Sequence, residues 1–108
     1  MTLSSRPPLR LSVVQTGDTA VLRAEGELDY ATAPELERRL SEVLADPRPK
    51  RILVDAEGLS FADVSGLDPL IRQAMSLGPG VIRIRNAPRP VARVIRLLDM
   101  ADLFGLDG

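Results

Sequence analysis

The chain has 108 residues, with 14 Lys+Arg against 15 Asp+Glu, a net charge of −1, and neither Cys nor His. That size suits one domain that buries about two-thirds of its surface without disulfide or metal staples. The missing residue types remove zinc fingers, thiol redox chemistry and Ser–His or Cys–His nucleophile pairs. The near-zero charge, with Arg scattered along the chain, lacks the basic footprint of a nucleic-acid binder. The longest uncharged stretch, Gln73–Ile82, is too short to span a bilayer, and MTLSSRPP carries no apolar export signal. The expected setting is cytoplasmic, without membrane insertion.

In chain order, residues 1–8 read as a disordered, Pro-bearing N-terminal tail and residues 9–108 as a single domain. From Leu9 the alternation Leu9, Leu11, Val13 marks a half-buried strand. Thr16-Gly17-Asp18 signals a turn, and Ala20–Leu28 completes a hairpin. Thr32 with Glu35 three residues on predicts a capping box, with Pro34 in the first turn. Leu36, Leu40, Val43 and Leu44 recur at helical spacing behind it, and Asp46-Pro47 closes that helix. Arg51–Asp55 is a short apolar run with the character of an inner parallel strand. A second helix carries Leu67, Leu70, Ile71, Ala74 and Leu77 on one stripe and stops before Gly78-Pro79-Gly80. Val81–Arg85 alternates as a further strand. Pro88 or Pro90 opens a third helix with Val91, Val94, Ile95 and Leu98 inward and Arg89, Arg93 and Arg96 outward, before the apolar turn Leu103-Phe104.

The order ββαβαβα contains two βαβ crossovers, which require a mostly parallel sheet with the same hand of connection. Three amphipathic helices need a face of that sheet. The expected fold class is α/β, a small sandwich of mixed, mostly parallel sheet with helices mainly on one face and the hairpin strand at an edge.

Sites in such folds lie at the carboxyl ends of the parallel strands. Two junctions qualify: Gly26–Asp29 with Tyr30, and Phe61–Gly66 running into the second helix. Ser65 sits at or beside that helix start. It reads either as a plain cap, since Ser and Asp are preferred there, or as an exposed hydroxyl in the anion-friendly field of a helix N-terminus. Two starts are open: Gly66 as cap with Pro69 still in the first turn, or Asp68 as cap with Pro69 opening the helix. Tyr30 reads equally as surface contact or half-buried packing. Asp29, Asp55 and Asp63 fall near strand ends, which raises a Mg²⁺ site and a receiver-like domain. The first strand has no acidic end and the only Lys is Lys50, so Asp55 is better read as a strand-end residue or a turn partner for Gly58.

The segments GELDYATAPELERRL, RILVDAEGLSFADVSGL and IRNAPRPVARVIRLLDMADLF strongly resemble the STAS domain of bacterial anti-sigma factor antagonists, from roughly Leu9 to Phe104. Gly26–Asp29 and Asp63–Leu67 are the most telling parts. The resemblance implies the same α/β sandwich, and a protein switch with no catalysis and no cofactor of its own. Its partner is an anti-sigma factor that is also a serine kinase of the histidine-kinase-like ATPase fold, and binding releases a sigma factor. The kinase phosphorylates the antagonist in an Asp-Ser-Ser/Thr-Gly segment and a phosphatase resets it. In this sequence Val64 replaces the first hydroxyl residue, leaving Ser65 as the acceptor. Asp68-Pro69 stands where the family has small or aliphatic residues. The implied partner-binding residues are Asp29, Tyr30, Asp63, Val64, Gly66 and Asp68. The alternative is an unphosphorylated STAS scaffold subunit of a signalling or lipid-transport complex.

Overall fold

The computed structural model of the protein describes residues 9–106, so the expected N-terminal tail lies outside the described residues. The elements run β1 (Arg10–Thr16), β2 (Thr19–Leu28), α1 (Ala33–Ala45), β3 (Arg51–Ala62), α2 (Val64–Leu77), β4 (Ile82–Arg85) and α3 (Arg89–Leu97). The four strands form one sheet in the order β1-β2-β3-β4. β1 is antiparallel to β2 across a two-residue turn in which Gly17 takes φ +60°. β2 with β3 and β3 with β4 are parallel.

Strand alternation makes one face of the sheet apolar: Ala20, Leu22 and Ala24 of β2, Ile52 and Val54 of β3, and Ile82 and Ile84 of β4 are all buried. The helices cover that face with Leu36, Leu40 and Val43 of α1, Leu67, Leu70 and Ala74 of α2, and Val91 and Ile95 of α3, all in one continuous core. The α/β sandwich read from the periodicity is therefore present, with its helices on one face. Leu44 and Leu77, expected inward, are 37% and 41% exposed. Each lies in the last turn of its helix.

Three local expectations need correction. The capping box at Thr32 does not form: the helix start has no side-chain cap bond. The Thr32 hydroxyl instead donates to the Glu27 carbonyl at 2.9 Å and accepts from the Asp29 amide at 2.9 Å, fastening the strand end to the helix. Glu35 pairs with Arg38. β3 does not stop at Asp55 but continues to Ala62, with register shifts against β2 on either side of Glu25–Gly26. The extra residues are on β3, whose twist and bend are thereby increased. Asp55 is accordingly neither a strand end nor a turn residue. It is a buried strand carboxylate on the open face, accepting from the Glu57 amide at 3.2 Å and the Asn86 side-chain amide at 3.2 Å, with the Arg85 guanidinium 3.8 Å away. Asn86 adopts φ +58°, a left-handed conformation that Asn tolerates and that ends β4.

The outer edge of β4 is covered by the chain's own C-terminal turn: the Ile84 amide donates to the Phe104 carbonyl at 3.0 Å and the Gly80 amide to the Leu103 carbonyl at 3.1 Å. The Phe104 ring is 1% exposed in the core. Among the described residues no helix is long and apolar enough to cross a membrane.

Burial pushes the Asp55 carboxyl up, but its two hydrogen bonds and the nearby Arg85 and Arg23 outweigh it, and the net position is below the ordinary carboxylate value. A depressed folded-state value stabilises the fold above the unfolded value and is lost as pH falls through the folded one. Asp55→Asn is therefore expected to be less stable than wild type in urea at neutral pH, with the gap closing below about pH 4. An equal gap at neutral and strongly acid pH overturns this. Phe104→Ala is expected to cost about 3–5 kcal/mol and to raise hydrogen exchange at Ile84. Unchanged Ile84 exchange overturns the edge-covering role.

Candidate functional site

The two telling segments of the sequence meet where β2 ends and α2 begins. The Asp63 amide donates to the Leu28 carbonyl at 3.1 Å, so the last residue of β2 and the residue before α2 are bonded directly. Gly66, in the first turn of α2, lies against the same peptide: a Cβ there would sit 2.1 Å from the Leu28 carbonyl oxygen and 2.6 Å from the Asp29 nitrogen. Real Cβ atoms do not come that close to backbone, so only glycine allows α2 to dock here. This contact carries Tyr30 on one side and Val64 and Ser65 on the other to one end of the sheet.

Asp63 is the N-cap of α2, its Oδ1 accepting from the Gly66 amide at 2.8 Å. The helix thus begins at Val64, before either start foreseen from Gly66 or Asp68, and Pro69 lies inside it. Proline has no N–H, so the regular partner of the Ser65 carbonyl, four residues on, is missing. With Asp63 as the cap, the Ser65 hydroxyl is not needed for that task. Ser65 is exposed in the first turn of a 14-residue helix, a position whose unpaired amides and dipole favour negative charge.

Asp29, expected on the surface, is 5% exposed. Its Oδ1 accepts from the Ala31 amide at 2.9 Å and the Thr32 amide at 3.1 Å. It organises the loop into α1, and its carboxylate is turned away from solvent. Gly66 is likewise buried and contributes by permitting contact beneath the surface. Tyr30 is 82% exposed, which decides between surface and packing in favour of surface, and Val64 is 52% exposed beside Ser65. Asp63 is half-buried in its cap. Asp68 is exposed and bonded to Arg72, its Oδ2 accepting from Nε at 2.7 Å, with Glu37 of α1 3.5 Å from the same guanidinium.

Phe61, 40% exposed at the end of β3 and opposite Glu27 of β2, extends the apolar surface and was not foreseen. An aromatic residue between Ser60 and Ala62 at a strand end was its only signal in the sequence. The surface at this end of the sheet therefore comprises exposed Tyr30 and Val64 with the hydroxyl of Ser65 and Asp68 on the next turn of α2, and Phe61 lies at the end of β3 toward Arg89 and Arg93 of α3. Among the described residues no three acidic groups converge on a metal-binding arrangement, so Asp29, Asp55 and Asp63 remain apart in their separate structural tasks.

Comparisons with known proteins bear on the family and the fold. The family described as Mlab, STAS domain matches residues 11–106. The anti-sigma-F factor antagonist RsfB of Mycobacterium tuberculosis is 30% identical over 79 residues, 73% of this chain and 64% of that protein, so the match spans less than two-thirds of the relative's length. The crystal structure of an anti-sigma factor antagonist from Mycobacterium paratuberculosis superposes with a TM-score of 0.78 at 27% identity, over 94% of this chain and 87% of that one. Unphosphorylated SpoIIAA, an anti-sigma factor antagonist, shares the fold with a TM-score of 0.67 at 24% identity, over 85% and 81% of the two chains.

Gly66→Ala is expected to destabilise the fold by at least about 3 kcal/mol, because the added methyl meets backbone that has nowhere to move. Asp63→Ala, which removes only a cap, is expected to cost about 1 kcal/mol. Urea unfolding of both variants checks the order, and a Gly66→Ala cost no larger than that of Asp63→Ala overturns the close-approach argument.

Proposed function

The chain belongs to the STAS domain family, and we propose that it is an anti-sigma factor antagonist whose partner-binding surface is Phe61, Tyr30, Val64 and Ser65 with Asp68 at its margin. The partner is an anti-sigma factor that is also a serine kinase, and its capture frees a sigma factor. The observation that carries this reading is the placement of Ser65: exposed in the first turn of α2, released from capping by Asp63, and beside exposed Val64. The names of the M. tuberculosis relative and the M. paratuberculosis structure support it. The chain acts by binding, and no reaction is assigned to it.

Phosphorylation of Ser65 supplies the switch. A phosphate adds about −1.5 to −2 charges at neutral pH. Before binding, the helix N-terminus and solvent accommodate it. Repulsion from Asp63 and Asp68 is present bound and free alike, so it does not decide affinity. What differs is the interface, where a dianion without a counter-charge must be desolvated against Val64 and Tyr30. A hundredfold loss of affinity requires about 2.7 kcal/mol, within the cost of burying an unpaired charge. Resetting requires a phosphatase with access to the same exposed turn.

The test uses the anti-sigma factor recovered from the host by affinity capture. Ser65→Glu is expected to weaken its binding by about tenfold or more, and Ser65→Ala to bind within about twofold of wild type. Incubation with that partner and ATP is expected to add one phosphate to wild type and none to Ser65→Ala by mass spectrometry. Equal binding of both variants with no phosphate incorporated overturns the switch. Such a result favours a constitutive STAS scaffold subunit, a role that Val64 in place of a hydroxyl residue suits.

A further inference from the structure

Among the described residues no helix covers the sheet's second face. Parallel strands are ordinarily buried on both sides, yet α1, α2 and α3 all pack on one. Cross-strand register places Val14, Val21, Leu53 and Arg83 side by side across the open face, with Arg23, Asp55 and Arg85 in the next row. Alternation from Leu53 puts Arg51 on this face as well. Arg23, Arg51, Arg83 and Arg85 thus share this face with Asp55, which is 8% exposed and engaged by Asn86 and the Glu57 amide, while Glu25 lies further along β2 opposite Arg10. Val14, by contrast, is 61% exposed.

Along β3 and β4 a groove of about 600 Å³ runs from this face toward α3, walled by the C-terminal segment at Gly105 and Leu106 and by Ala92 and Arg96 of α3. Arg51, Arg83, Arg85 and Arg96 line it, Leu53, Ala87, Ala92 and Leu106 supply apolar surface, and among the described residues no carboxylate contributes to the lining. The Arg83 side chain lies against Gly105, where a Cβ would come 2.8 Å from its Nε, so its guanidinium is held at the wall. The Arg85 side chain is 52% exposed and keeps donors outward although Asp55 is near.

From this juxtaposition we propose that the groove on the open face of β3 and β4 is a second docking site, which takes an acidic protein segment carrying aliphatic side chains. Guanidinium forks match carboxylates in planar, bidentate geometry. The apolar floor selects a peptide over a small hydrated anion, which gains nothing from Leu53 and Leu106. Among the described residues the lining holds no aromatic platform of the kind on which single-stranded nucleic acid stacks. No residue of α2 lines the groove, so its occupancy is independent of Ser65 and brings a further partner to the same molecule.

The experiment is a ¹⁵N-amide NMR titration of the full chain with the acetylated, amidated peptide Glu-Leu-Glu-Glu-Leu-Glu. Parallel titrations use its lysine-for-glutamate counterpart, inorganic pyrophosphate and an oligothymidylate. The acidic peptide is expected to move the amides of Leu53, Arg83, Arg85 and Ala87, and to weaken about tenfold between about 20 and 300 mM salt. Arg51→Glu and Arg83→Glu, each with a wild-type-like spectrum elsewhere, are expected to weaken it about fivefold or more. Arg51→Glu serves where Arg83→Glu disturbs the C-terminal wall. Ser65→Glu is expected to leave it unchanged. No movement of these amides overturns the site, and equal movement by the lysine peptide overturns charge selection. Tighter binding at the same amides by pyrophosphate or by oligothymidylate overturns the peptide assignment in favour of that ligand class.

Discussion

The contact of Gly66 with the Leu28–Asp29 peptide is the constraint on which the rest of the site depends. A helix can approach a strand end this closely only where no side chain intervenes, and the 2.1 Å that a Cβ would leave to the Leu28 oxygen admits none. The approach also sets the bond from the Asp63 amide to Leu28, and Asp63 in turn caps α2 through the Gly66 amide. One glycine and one aspartate thus fix the angle at which the helix leaves the sheet. The same junction holds the loop after β2, where Asp29 and Thr32 bond to one another's backbone and to Glu27. Tyr30 and Ser65 share a surface because these two turns are tied at their bases.

That arrangement divides labour between buried and exposed residues. Asp29, Asp63 and Gly66 hold geometry beneath the surface, and Phe61, Tyr30, Val64 and Ser65 present it. A hydroxyl on the first turn of a helix, beside exposed Val64, is well suited to the proposed switch, which works by desolvation. The uncharged form is easily covered, whereas a dianion is comfortable only while it stays in water. Because the cap is supplied by Asp63, the proposed modification of Ser65 would leave the start of the helix intact.

The other side of the sheet follows a different logic. Helices on one face leave the second to cross-strand pairs, and there the chain concentrates arginine around a buried aspartate. Asp55 offsets part of that charge and orders Asn86 at the β4 end. The C-terminal turn closes the β4 edge and at the same time raises a wall beside the arginines. A domain with a net charge of −1 therefore carries a locally positive face that the overall count conceals.

Period and punctuation in the sequence were enough for the order of elements, the apolar stripes of Leu36, Leu40 and Val43 and of Val91 and Ile95, and the two junctions where a site belongs. These are local properties, set by spacing of 2 or 3.6 residues and by turn chemistry. The exposed position of Ser65 at the second junction was legible for the same reason. Tertiary structure decided the rest. Asp29 and Asp55 look alike in sequence to surface acids, yet both are buried, because loop amides and neighbouring strands supply donors that no local pattern announces. The capping box at Thr32 gave way to bonds reaching back to Glu27 and Asp29, and β3 continued past Asp55 because β2 offered a partner as far as Leu28. Gly66 stood in the sequence as a candidate helix cap and partner contact, and only the packing of α2 on β2 made it the residue that cannot change, since close approach is a relation between two segments and is written in neither one alone.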